Sequence, residues 1–350
     1  MMNRRLLNLI GCVLILAACQ QNIAKPETLP DGTTTTGIGS DAIAIDEEAE
    51  REGAELMARH PGGIAVGFYG TNEEIMPNYY TTFRIQKEHP FVGEFRLRSG
   101  KLEEHSYIFL CLLDYLQIPC NPQADMTQLW KGVDLGDEVR IPLYFFVGDG
   151  DFHDLVVLYQ EDPYLAGPIG SGSFQDRTLR DFNEMRANIS VDGRTTSPSL
   201  LFIEPNGQSG HGSIPYGCVV EEAPTNSDEH GGWRLLTETT AQAGDYFDLF
   251  LHFDGDTDRK HAVTAFIDFR QIPIYYDGEL HTPLYVQTRA ETLHILPIRF
   301  RAPDLPGNYE LRIIAMAEPF AWLDSLPDGK ELTAFPKSSP RILLKVTPND

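Results

Sequence analysis

The sequence predicts an all-β protein of two tandem β-sandwiches, set behind a cleavable leader and a disordered tether. Three observations carry this reading. Short runs that alternate apolar and polar residues recur from Ile64 onward, among them "VRIPLYFFVGDGD", "DLVVLYQ", "YFDLFLHFDGD", "HAVTAFIDF" and "RILLKVTP", most of them closed by Gly, Asp or Pro. An octapeptide occurs twice, "LLDYLQIP" at residues 112–119 and "FIDFRQIP" at residues 266–273. Its neighbours also repeat in order: "PLYF" at Pro142 answers "PIRF" at Pro297, and "EDPY" ending at Tyr164 answers "AEPF" ending at Phe320, at offsets of 154 to 156 residues. Collinear repeats at one period signal a duplicated structural unit.

Taken along the chain, residues 1–18 read as a signal peptide and residues 19–61 as a polar tether ending in a short acidic helix over 41–59. Residues 62–165 form the first sandwich, 166–197 a linker, and 198–350 the second sandwich. In the linker, Leu179, Phe182 and Met185 recur at three-residue spacing and predict a helix over 176–188. Read at period two, each octapeptide is a core strand ended by Pro119 or Pro273, with Leu113 and Tyr115 on one face and Asp114 on the other, and Ile267, Phe269 and Asp268 matching them. Gln117 and Gln271 fall at the strand ends, where an amide can satisfy loop backbone groups. The surplus over a minimal sandwich falls in connections at 121–138 and 274–292. The strand count and the Gly-x-aromatic start of a late strand (Gly150-Asp151-Phe152, Gly307-Asn308-Tyr309) resemble immunoglobulin-like domains.

The N-terminus has Arg4 and Arg5 ahead of an apolar run from Leu6 to Ala18, too short for a permanent membrane span, which needs about 20 apolar residues. Leu16-Ala17-Ala18-Cys19 resembles the lipobox of bacterial lipoproteins. That resemblance implies cleavage before Cys19, diacylation of its thiol, and an exported protein anchored to a bacterial membrane by lipid, inner or outer membrane left open. The formal net charge of −23 repels phosphate backbones, so nucleic acid is excluded as a partner and a protein or glycan partner stays open. Of the cysteines beyond Cys19, Cys111 reads as a core residue. An extended strand would hold it roughly 30 Å from Cys120, beyond disulfide reach. Cys120 with Cys218 remains a possible pair.

No nucleotide-binding Gly-rich loop, His-Glu-x-x-His or paired Cys-x-x-Cys is present. "FDGDTDRKH" places Asp254, Asp256 and Asp258 at the spacing that begins an EF-hand, but Arg259 and Ala265 stand where that loop requires Gly and Glu. A hairpin turn accounts for these residues, and for Asp149 and Asp151 in "GDGDFHD", with calcium as the alternative occupant and no other cofactor implied. Tyr275, Tyr276 and Tyr285, together with Trp322, are candidate binding aromatics or else cover a sandwich edge or a joint. The functional expectation is a lipid-anchored binding or scaffold module, non-enzymatic in its leaning. The alternatives are a polysaccharide hydrolase with carboxylates in an inter-domain cleft, or a calcium-dependent adhesion module.

Overall fold

The computed structural model describes residues 64–70, 73–74, 82–163, 182–209, 218–221, 236–255, 258–323, 336–339 and 341–349. The leader, Cys19, the tether and the expected helix over 41–59 lie outside them. Among the described residues there is no α-helix. The first half contributes β1 (Ile64–Gly70), β2 (Glu73–Glu74), β3 (Thr82–Ile85), β4 (Phe91–Ser99), β5 (His105–Leu113), β6 (Leu116–Ile118), β7 (Gln128–Val133), β8 (Glu138–Phe145), β9 (Phe152–Glu161) and β10 (Asn183–Val191). The second contributes β11 (Asn206–Ser209), β12 (Cys218–Glu221), β13 (Glu238–Gln242), β14 (Tyr246–Gly255), β15 (Arg259–Ile267), β16 (Arg270–Ile272), β17 (Ile274–Tyr276), β18 (Glu279–His281), β19 (Leu284–Thr288), β20 (Thr292–Arg301), β21 (Gly307–Ala317), β22 (Lys337–Ser338) and β23 (Ile342–Thr347).

The duplication is visible in the topology. One sheet runs β3-β10-β9-β5-β6 and its counterpart β13-β23-β21-β15-β16, each with one parallel pair, β3 with β10 and β13 with β23. These are the two inner sheets. The outer sheets are β1-β4-β8 and β12-β14-β20-β17-β18.

Alternation along the inner strands explains how four sheets stack. Tyr107, Phe109 and Cys111 of β5 pack inside the first sandwich with Phe95, Leu97 and Ile141 of its outer sheet. Ile108, Leu110 and Leu112, the residues between, face the other way and meet Ala262, Phe266, Ile314 and Met316 of the second inner sheet. β15 and β21 repeat this, with Val263, Ala265, Ile313 and Ala315 turned into the second sandwich's own core. Strands buried on both faces lose the polar alternation of a half-exposed sheet. Each fully buried Leu, Ile or Phe contributes roughly 1.5–3 kcal/mol, so the layer between the sandwiches is as much a core as the layers within them.

The octapeptide is not a single strand. Asp114 and Tyr115 have φ of 51° and 68°, and Asp268 and Phe269 have 46° and 64°, so each pair makes the two-residue left-handed turn of a tight hairpin. The chain folds back on itself, pairing Leu113 with Leu116 and Cys111 with Ile118. That reversal overturns the sequence reading of the cysteines. Cys111 and Cys120 form a disulfide with Cα atoms 5.3 Å apart, where an extended strand would have separated them. Asp-Tyr and Asp-Phe lack the Asn-Gly signature of such turns, which is why period two reads straight through them.

The linker helix is also overturned over 182–188, while 176–181 lie outside the described residues. Asn183–Val191 is β10, paired with β9 and β3, and it closes the first sandwich well beyond residue 165. Met185, Ala187 and Ile189 face the first sandwich's core while Glu184, Arg186 and Asn188 alternate with them, a period of two that the three-residue apolar spacing concealed. Two expected hairpins are instead crossovers between sheets, since β8 and β9, like β14 and β15, belong to opposite layers of one sandwich. The connections at 121–138 and 274–292 carry β7 and β17 to β19.

Candidate functional site

The repeated sequences converge on one place, the joint between the sandwiches, and they do so with approximate twofold symmetry. The Gln117 backbone N–H donates to Oε1 of Gln271 at 2.7 Å, and the Gln271 N–H donates to Oε1 of Gln117 at 2.7 Å. Each amide then donates across the joint, Gln117 Nε2 to the Phe269 carbonyl at 3.0 Å and Gln271 Nε2 to the Tyr115 carbonyl at 2.7 Å. The glutamines therefore satisfy backbone, as their position suggests, but the backbone belongs to the other sandwich. Asp114 and Asp268 close the neighbouring ladder in the same reciprocal way: Asp114 accepts from the Asp154 N–H at 3.0 Å and Asp268 from the Glu310 N–H at 2.8 Å. Burial pushes the Asp268 carboxyl above its ordinary range, with the charge of Glu310 adding to the rise and the Glu310 N–H opposing it.

An arginine from each sandwich reaches the turn that the other's "EDPY" or "AEPF" builds. Arg186 donates to the carbonyls of Ala317 and Glu318, the latter at 3.0 Å, and pairs with Asp154 at 2.9 Å. Strand register makes Arg341 its counterpart. Arg341 donates to the Pro163 carbonyl at 2.7 Å and pairs with Glu310. Asp154 also accepts from the Tyr115 hydroxyl, from Asn188 Nδ2 at 2.6 Å and from the Phe320 N–H at 2.7 Å, so its charge is fully met inside the protein.

Glu184 lies on the same face of β10, one alternation from Arg186. It is 1% exposed, and neither carboxyl oxygen has a hydrogen-bond partner among the described residues. Burial pushes its carboxyl up to about 8, against the pull of Arg186 and with the push of Asp154. Burial raises the Tyr115 phenol too. The joint therefore has a solvent-shielded polar centre around Asp154, Arg186 and Glu184 inside an apolar layer, and what it does chemically is hold two bodies in one register.

The residues singled out from sequence do not gather in one site. Asp151 pairs with Arg194 at 3.1 Å and Asp149 is exposed on the same crossover. The Asp258 carboxylate accepts the Ala290 N–H at 2.7 Å. Asp256 and the side chain of Asp254 lie outside the described residues. Tyr285 belongs to the joint, edge-on to Tyr115 with centroids 6.5 Å apart, and Trp322 stacks on Phe152 at 6.0 Å. Tyr275 and Tyr276 are elsewhere, on β17 of the outer sheet, against Tyr246 and His281 respectively. Cys218 is on β12, with its side chain outside the description.

A separate cluster escaped sequence reading altogether. His105 opens β5, Glu161 ends β9 and Asp162 follows it directly. His105 Nδ1 is 2.7 Å from Asp162 Oδ2 and 3.0 Å from Glu161 Oε1, and one donor atom from each residue falls within 4.8 Å of the others. No local motif announces it, because His105 lies more than fifty positions from the two acids.

The fold and the joint define a class: an all-β protein of two β-sandwiches fused face to face. No family model matches the chain, and no curated protein matches it. Among solved structures, a family 123 glycoside hydrolase from Clostridium perfringens is 12% identical over 38% of this chain and 27% of that one, with a TM-score of 0.23. Red sea bream transglutaminase is 10% identical over 86% of this chain and 34% of its own, at 0.22. Fibronectin(III)-like modules of Clostridium thermocellum are 10% identical over 82% of this chain and 95% of theirs, at 0.20. The chain spans about a quarter to a third of the length of the first two. Likenesses at this level carry no argument about function, and the fold is read from the strand pairing itself.

Proposed function

We propose that this chain is a lipid-anchored protein of a bacterial cell envelope, held by acylation of Cys19 and facing away from the cytoplasm, whose fused sandwiches serve as a binding or scaffold module for a protein or glycan partner. The observation that carries the reading is the filled joint. A hydrolase working between the sandwiches would need its carboxylates in contact with the sugar. Asp154 and Glu184, the two carboxylates at the centre of the joint among the described residues, are 0% and 1% exposed, while Asp114 and Glu310 at its rim are held in hydrogen bonds and ion pairs of the joint itself. Two bodies clamped by a continuous core present their surface loops at fixed spacing, which suits a scaffold. The lipobox-like Leu16-Ala17-Ala18-Cys19 supports the anchor.

Palmitate labelling of the expressed protein tests the anchor: label should appear on the wild type and vanish with Cys19→Ala, and unchanged labelling sinks that half of the proposal. For the module, a screen of labelled glycans should find binding without turnover. Turnover abolished by a single carboxylate substitution would transfer the reading to a hydrolase. The calcium-dependent alternative requires calcium to raise the melting temperature.

A further inference from the structure

We propose that His105, Glu161 and Asp162 form a binding site for a divalent transition cation of the zinc class, built into the first sandwich alone. The donors are one imidazole nitrogen and two carboxylates, a mixed nitrogen and oxygen set that suits zinc; calcium prefers oxygen throughout. Their convergence to within 4.8 Å is the spacing that a single ion can replace with direct bonds, water completing the coordination. Their side chains are 14%, 18% and 7% exposed, open enough for an ion to enter and enclosed enough to hold each donor in place.

The duplicated architecture supplies an internal control. Strand register equates Tyr107 and Glu161 with His261 and Ala317, and so His105 with Arg259 and Asp162 with Glu318. The turn itself uses the last acid in both halves. Asp162 accepts the Ser106 N–H at 2.9 Å, and Glu318 accepts the Lys260 N–H at 3.4 Å. In both, the acid's own N–H returns a bond to the carbonyl of that same residue, Ser106 or Lys260. One acid is thus what the fold requires at this turn. The imidazole and the second carboxylate exceed that requirement, since the second sandwich builds the same turn with Arg259 and Ala317 in their places. Lys101 Nζ lies 3.2 Å from Glu161 Oε2 and supplies the positive charge that a bound ion would displace.

The test is zinc chloride titrated into the full chain, followed by calorimetry and by thermal melting, with calcium chloride as the comparison. The wild type should bind one zinc per chain and melt several degrees higher in its presence. His105→Arg and Glu161→Ala, which copy the second sandwich and so preserve a turn this fold already builds, should each weaken zinc binding at least about tenfold. Lys101→Met should tighten it, because it removes the competing cation. No rise in melting temperature with zinc, or a rise that both copying variants retain, overturns the proposal and assigns zinc binding to the acidic surface at large. Zinc affinity unchanged or weakened in Lys101→Met overturns the displacement step, and with it the placement of the ion on Glu161.

Discussion

The two sandwiches carry the same ion pair in two settings, and the difference shows what the joint is for. Arg186 and Asp154 have side chains 0% exposed, while Arg341 and Glu310 keep 11% and 19% of theirs in contact with solvent. In the first copy Tyr115 donates its hydroxyl to the acid; in the second the equivalent residue is Phe269, and Glu310 takes Arg312 as an extra partner at 2.7 Å. One copy was completed with neutral donors and closed off from water, the other with a second cation at the rim. Burying a pair without loss demands that every remaining donor and acceptor be met; the first copy meets that demand at the Asp154 carboxylate, while Arg186 Nε has no acceptor among the described residues. The sealed copy therefore fixes the register of the two bodies, and the open copy adds a tether at the edge.

Removing one arginine at a time breaks this comparison most sharply. Arg186→Met leaves Asp154 charged in a dry layer and should cost about 3–5 kcal/mol in urea unfolding. Arg341→Met leaves Glu310 with Arg312 and some solvent, and should cost less than half as much. Equal losses would show that the two settings are energetically alike.

Glu184 sharpens the contrast through pH. Its carboxyl is raised from 4.5 to about 8 in the folded protein, so between those values the folded state holds a proton that the unfolded chain has released. The associated stability is complete below the unfolded value and is lost as pH rises through about 8. The wild type should melt several degrees lower at pH 8.5 than at pH 5.5 through this group, and Glu184→Gln should remove that part of the slope. A slope unchanged in the variant would assign it to other residues. On the acid side, burial lowers His252 to about 4, and His261 to about 3 with Lys337, Arg259 and His294 adding to the effect. Their contribution is present above about 6.5 and is lost as pH falls through those values.

The disulfide is a third difference. Cys111 and Cys120 are joined in the first sandwich, whereas the corresponding places in the second hold Ala265 and Ile274, both buried in its core. Closing a loop with a sequence separation of 9 residues is worth about 2–3 kcal/mol, so Cys120→Ser should lower stability by that amount under oxidising conditions and leave it unchanged against a reduced wild type. The smallest effect belongs to the shared feature. Gln117→Ala and Gln271→Ala should each cost about 1–2 kcal/mol, and the double variant less than their sum, because either change strips donors from the same reciprocal pair. Strict additivity in that cycle would argue that the two amides act independently.

Some of this was legible from the start. The all-β class followed from alternation closed by turn residues, and the duplication from the octapeptide and its collinear neighbours. The octapeptide's shape did not follow. Asp114-Tyr115 turns the chain in a conformation that Asn-Gly would have announced, and the bulky residue is held there because its ring completes the joint. β10 was hidden for a related reason: its apolar residues fit a helical spacing as well as an extended one, and the ladder with β9 and β3 decided between them.

The sequence by itself determined that the chain builds one kind of sandwich twice, since local periodicity and self-similarity are properties of neighbouring residues and of the chain compared with itself. Only the tertiary structure decided what the repetition is for. Gln117 and Gln271, 154 positions apart, meet as mutual donors and acceptors, and Arg186 finds its partners on a turn more than 130 positions away. Such meetings are set by the stacking of the inner sheets, whose apolar residues on both faces leave no periodic signal to show which face meets which partner. The same holds for His105, Glu161 and Asp162, which become a site only when antiparallel pairing brings the start of β5 to the end of β9.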